Sequence, residues 1–146
     1  MGERQKAELR PLISGFELVK AVRGRGLMTA IEFGSPQSWK LRMGWNMIHA
    51  ADPGLFPQAI LIPLLTDHRV LAQVAGHHMD VIKLLPSLTM DEVDLEHLVD
   101  ALRRTIAACH QFPGPVWEIA KRLSSHALKS KNGTVAPAEP SSAEPA

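Results

Sequence analysis

The chain has 146 residues, an apolar fraction of 45%, a charged fraction of 21% and a formal net charge of +1. That length suits one modest domain and is too short for most cofactor enzymes built from two. The near-neutral balance gives no electrostatic case for nucleic acid or an acidic membrane, and the single cysteine, Cys109, excludes an intramolecular disulfide framework.

No apolar run approaches the roughly 20 residues that span a bilayer. The first residues, MGERQKAELRP, contain no signal-peptide core. With the lone cysteine fitting a reducing compartment, the expected location is the cytoplasm. Residues 3–13 read as a helix with Ala7, Leu9, Leu12 and Ile13 as its apolar stripe, weakened by Pro11, which removes a backbone donor. Phe16–Val22 reads as extended. It leads into Arg23-Gly24-Arg25-Gly26, whose glycines suit a tight turn, and then into a buried strand over Leu27–Phe33.

Ser35-Pro36 makes a turn with helix-opening chemistry. From Ser38 to Ala51 the positions Leu41, Trp45 and Ile48 fall at helical spacing, with Met43, Met47 and Ala50 broadening the face. Asp52-Pro53-Gly54 ends that helix. Residues 56–65 are nearly all apolar, a pattern that fits a buried helix or a strand. The favoured reading is a helix starting near Pro57.

Arg69–Ala75 and Asp80–Leu85 are rich enough in apolar and β-branched residues to be strands. The short link Gly76-His77-His78-Met79 makes them an antiparallel hairpin, and Pro86 closes it. A helix follows, with Thr89 and Glu92 as its capping box, acidic residues in the first turn and Arg103 and Arg104 near the end. Leu95, Leu98, Leu102 and Ile106 form its buried stripe. A second amphipathic helix over residues 115–128 carries Val116, Ile119, Leu123 and Ala127 on one side. Beyond residue 129 the chain collapses into Ala, Pro, Ser and Glu, a composition that cannot bury a core. The expected organisation is therefore an α+β domain over residues 1–129, a small three-stranded, mainly antiparallel sheet with helices packed on it, and a disordered tail at 130–146.

Few residues suggest chemistry. Lys83 lies between Val81 and Leu85 on one face of its strand, where an ammonium must reach a rim or find an anion. It is the candidate contact for a substrate carboxylate; otherwise it is an edge lysine with its stem over the sheet. Arg23 and Arg25 could cradle a phosphate or carboxylate, but the favoured reading is a structural turn with solvated guanidinium groups. His77 and His78 are neighbours and diverge, so they lack the spacing of a metal pair. Cys109 and His110 diverge on their helix for the same reason. Trp39, Trp45 and Trp117 read as core or interface anchors. No nucleophile–base pair, carboxylate cluster or metal box is apparent, so no catalytic, cofactor-binding or metal-ligating residue is assigned.

Three segments in order carry a family resemblance. VRGRGLMTAIEF at 22–33, VIKLLPSLTMDEVD at 81–94 and LEHLVDALRRTI at 95–106 resemble the C-terminal small domain of class-III, pyridoxal-phosphate-dependent aminotransferases. Residues 73–83, QVAGHHMDVIK, echo one branch of that family, and the resemblance covers about residues 3–110. It implies the small domain of fold-type-I aminotransferases, a parent reaction moving an amino group between an amine or amino acid and a keto acid, and a homodimeric parent. It also implies that the cofactor is bound mainly by a large domain that these residues do not contain. Lys6, Lys20, Lys40, Lys83, Lys121, Lys129 and Lys131 all lie in the wrong context for the Schiff-base lysine, so the chain should not transaminate alone.

In many relatives an arginine in the strand before the proline binds the substrate carboxylate. Lys83 stands there in this chain, and lysine lacks arginine's planar bidentate geometry. Ser87 replaces a second proline often found in that motif. The competing expectation is a non-catalytic α+β module that binds a partner or small anion.

Overall fold

The computed structural model describes residues 1–77 and 79–132. Of the tail expected at 130–146, residues 130–132 continue the last helix, and residues 133–146 lie outside the described residues, as do His78 and the side chain of Ala127. Among the described residues the chain runs α1 (Gly2–Leu9), α2 (Pro11–Gly15), β1 (Val19–Arg25), β2 (Met28–Phe33), α3 (Trp39–Ala51), α4 (Leu55–Thr66), β3 (Gln73–Val74), β4 (Val81–Leu84), α5 (Glu92–Cys109) and α6 (Pro115–Asn132). The α+β class stands. The sheet, however, has four strands in the order β1-β2-β4-β3, every neighbouring pair antiparallel, where the sequence predicts three.

The extra strand is β1, and it changes the role of the glycine run. Arg23, Gly24 and Arg25 are not a turn in front of a strand; they belong to β1 and pair with Ala30, Thr29 and Met28 of β2. Only Gly26 and Leu27 form the loop. Gly26 adopts φ +58, a left-handed conformation that glycine takes without the Cβ penalty, and glycine first is what one of the favoured two-residue hairpin loops requires. Gly24 serves a different need. A Cβ there would lie 2.2 Å from the carbonyl oxygen of Met28. Between Val19 and Ala21 the register shifts, leaving Lys20 as an unpaired bulge residue.

The remaining helices follow the sequence closely, with local corrections. The single predicted N-terminal helix is divided into α1 and α2 at Arg10, because Pro11 has no N–H to continue the ladder. Leu9 and Leu12 are buried as expected, Ala7 and Ile13 are exposed, and Gln5 is buried in their place. In α3 the inward face is Leu41, Gly44, Trp45 and Ile48; Met43, Met47 and Ala50 point outward. Residues 55–66 are helical. The cap of α5 is shifted by two residues. Asp91, in an extended conformation, accepts from the Asp94 N–H at 2.9 Å, and the Asp94 carboxylate accepts from the Asp91 N–H. Thr89 is occupied elsewhere, with its hydroxyl 2.7 Å from that of Ser87.

The predicted hairpin exists, but its first strand is only Gln73–Val74. Arg69, three residues beyond α4, adopts φ 57; its N–H reaches the Leu65 carbonyl and the Val70 N–H reaches that of Leu64. The chain therefore turns where a strand was expected to begin. One core joins all the layers. Phe56 of α4 is fully buried, with ring centroids 5.5 Å from Phe33 of β2, 4.7 Å from Trp45 of α3 and 5.8 Å from Trp117 of α6. Trp45 and Trp117 are thus core anchors, whereas Trp39 is exposed.

Candidate functional site

Alternation along the strands sorts the sheet into two faces. Thr29, Ile31 and Phe33 of β2, with Ile82 and Leu84 of β4, are buried against the helices. The residues between them are only half-buried and look away from the core.

Register places the charges on that second face. Arg23 is opposite Ala30, Ala30 is opposite Lys83, and Lys83 is opposite Gln73, so the four residues form one row across the sheet. One step along β1 and β2 the row is Arg25 and Met28; one step the other way it is Ala21, Glu32 and Val81. Arg23, Arg25 and Lys83 line a shallow concavity of ≈ 410 Å³ whose floor is Gly24, Met28 and Ala30. The predicted site residue is therefore not alone. It shares an open hollow with both arginines of the glycine run, which the sequence reads as solvated residues of a structural turn.

The cations differ in their partners. Arg23 forms an ion pair with Glu32 of β2, the acidic residue of the same face. Arg25 and Lys83 have no carboxylate partner among the described residues. Lys6 of α1 approaches from the side and donates to the Gly24 carbonyl at 3.3 Å and to Glu3 at 2.5 Å. No described lysine is fully buried, and Lys83 opens onto the hollow.

One polar constellation has no signal in the sequence. His49 of α3 and Asp80, just before β4, are 31 positions apart, yet His49 Nε2 lies 2.8 and 3.0 Å from the two Asp80 carboxylate oxygens. His49 Nδ1 is 2.9 Å from the Trp45 carbonyl oxygen, and its ring stacks on Trp45 at 4.1 Å. Both nitrogens face acceptors, which the doubly protonated ring satisfies best. Burial opposes that charge, but the hydrogen bonds to Asp80 and the Trp45 carbonyl outweigh it, and the pKa of His49 is raised. A histidine with both nitrogens engaged has no free site to take a substrate proton. It ties α3 to the sheet.

Cys109 and His110 are separated in function as their spacing implies. Cys109 is buried, its thiol donates to the Thr105 carbonyl at 3.2 Å, and burial pushes its pKa up to about 12. His110 turns instead towards the Ile106 carbonyl, with its other nitrogen 3.4 Å from the Leu18 N–H. His77 is exposed, and no group of three or more metal-ligating side chains is found among the described residues. No described helix is long and apolar enough to cross a membrane.

The fold has counterparts among solved structures. The chain is similar to an amine transaminase from an uncultivated Pseudomonas species, solved in its PLP-bound form, with a TM-score of 0.56 and 26% identity over 74% of this chain. It is also similar in fold to a thermostable omega transaminase mutant from Pseudomonas jessenii, with a TM-score of 0.57 and 18% identity over 74% of this chain. These matches span only 22% and 21% of the respective transaminase chains. No family model matches the sequence, and no curated protein does either. The resemblance read from the three sequence segments is borne out at the level of the fold.

Proposed function

We propose, starting from this likeness to about a fifth of a transaminase, that the 146 residues act as the small domain of a class-III aminotransferase. The observation that carries the reading is the agreement between segment order and fold. The residues quoted at 22–33, 81–94 and 95–106 form β1–β2, β4 and α5, and 74% of the chain aligns with an amine transaminase at 26% identity.

In this reading the pyridoxal phosphate supplies an electron sink for the amine carbon and is held by the larger remainder of the enzyme. This chain contributes the wall that closes over the substrate. Lys83 meets the substrate carboxylate from β4, as a point charge without arginine's bidentate grip. The reaction exchanges an amino group between an amine or amino acid and a keto acid, in a cytoplasmic homodimer. Residues 1–129 form the domain, and the chain without its large-domain partner is inactive.

Three observations test the reading. The coding sequence immediately upstream, or a neighbouring gene, is expected to encode a pyridoxal-phosphate domain with a Schiff-base lysine. Co-expression of the two should give transamination that neither polypeptide shows alone. Absence of such a domain, or activity of the large domain unaffected by this chain, would sink the proposal and favour the non-catalytic binding module. Titrating the chain alone with pyridoxal phosphate should give no stoichiometric new absorbance band.

A further inference from the structure

We propose that the outward ridge of α3 is a docking surface for an acidic amphipathic helix of a partner protein. Large apolar side chains left open by the fold stand together on this one helix: Trp39, Met43 and Met47 are 69%, 54% and 51% exposed. Each follows the last by four positions, so they form a single stripe roughly 12 Å long. Ala50 continues it. Leu41, Trp45 and Ile48 on the other side of the helix are buried, so the stripe faces away from the core. It shares no residue with the open sheet face and owes nothing to the transaminase reading. An exposed stripe of this kind marks an interaction surface, and methionine suits one because its flexible thioether repacks around different apolar partners.

The charges around the stripe name the occupant. α3 contains no Asp or Glu, whereas Lys40 and Arg42 flank the stripe on either side. The Lys40 ammonium lies 5.9 Å from the Trp39 ring centroid, and Arg42 is held in place by the Pro36 and Gln37 carbonyls. On α6, Trp117 borders Gly44 of α3, and Lys121 follows Trp117 by one turn on the same side. Among the described side chains of α6 a single acid, Glu118, stands against Lys121, Arg122 and Lys129. A second copy docked ridge to ridge would bring two basic surfaces together. A helix with leucines along one stripe and glutamates beside them fits both features. Its leucines cover Trp39, Met43 and Met47, and its carboxylates meet Lys40 and Lys121 on one flank and Arg42 on the other.

The test uses the 146-residue chain and a synthetic helix of roughly 18 residues, with leucine along one stripe and glutamate and alanine elsewhere. Trp45 and Trp117 are buried, so Trp39 is the tryptophan that acrylamide reaches. Bound peptide is expected to shield it from quenching and to move its emission to shorter wavelength. The same peptide with lysine for every glutamate, and a scrambled peptide of identical composition, should bind about tenfold more weakly. Met43→Ser combined with Met47→Ser should weaken binding by about tenfold or more. Lys40→Gln combined with Lys121→Gln should weaken it by about threefold to tenfold, and Arg103→Gln on α5 should leave it unchanged. Equal binding of the acidic and basic peptides, equal weakening by Arg103→Gln, or retained affinity in the double serine variant would overturn the proposal. Dimerisation of the chain that the double serine variant abolishes would assign the ridge to a second copy and overturn it too. So would shielding of Trp39 by phosphatidylserine vesicles where the acidic peptide gives none.

Discussion

The two faces of the sheet are built from the same strands and have opposite chemistry. On the inner face Ile31, Phe33, Ile82 and Leu84 are sealed under the helices, and Phe56 links them to Trp45 and Trp117. On the outer face the alternate residues Arg23, Arg25, Ala30, Glu32 and Lys83 remain open to solvent. A one-residue slip in register would exchange the faces, burying the charges and exposing the core. The difference teaches that the buried set that holds the fold together and the charged set on the open face are offset by a single residue along each strand. Substitutions on one face should therefore leave the other's property intact.

The sharpest way to break that separation is Ile31→Ala. Removing a fully buried branched side chain is expected to destabilise the domain by about 2–5 kcal/mol, read from the urea midpoint. A cost below that of an exposed substitution would mean that the inner face is not the structural one. Next comes Gly44→Leu. A Cβ at Gly44 would lie 2.7 Å from the Phe112 ring and 3.2 Å from Trp117, so α3 and α6 could not keep their approach. The expected loss is roughly 1–3 kcal/mol.

The His49–Asp80 tie lies between the two regimes, and pH tests it. The folded-state pKa of His49 is raised above its ordinary value of 6.5. Its contribution is therefore fully present below that value and is lost as pH rises through the folded-state pKa. Denaturation midpoints of the wild type and Asp80→Asn, compared from about pH 5 to pH 8, should differ most in acid and converge in base. A gap that does not change with pH would show that the charged form of His49 carries no stability.

The smallest effects belong to the outer face. Lys83→Met and Arg25→Met should each change stability by less than about 0.5 kcal/mol, read from the urea midpoint. A larger loss of stability would mean that the open face supports the fold after all. A slower check concerns Cys109, whose buried thiol should resist aromatic disulfide reagents in the native state and react on unfolding.

Much of this was legible in the sequence, for identifiable reasons. Helical spacing located α3, α5 and the inward residues Leu95, Leu98, Leu102 and Ile106, because periodicity is a local property of the chain. The glycine run was harder. Two glycines inside seven residues suggest a turn, but Gly24 is required by the closeness of the Met28 carbonyl, a contact made only after β1 pairs with β2. The capping box was misplaced because Thr89 and Asp91 offer the same local chemistry, and the partner of Ser87 decides between them. Lys83 was singled out by its place between two apolar neighbours. Its company, Arg23 and Arg25, depends on register across three strands, and no window along the sequence contains it.

The order β1-β2-β4-β3 also sets when the chain acquires its properties. β1 and β2 are joined by a two-residue loop, so their hairpin can form early, though a two-stranded ribbon is marginal in water. The central pair, Thr29 with Leu84 and Ile31 with Ile82, must wait until α3 and α4 have closed the intervening chain into a loop. The row from Arg23 through Ala30 to Lys83 is completed only by that last pairing. A spectroscopic label in that row should therefore report late in refolding, after helical content, and serve as a clock for the final step of assembly.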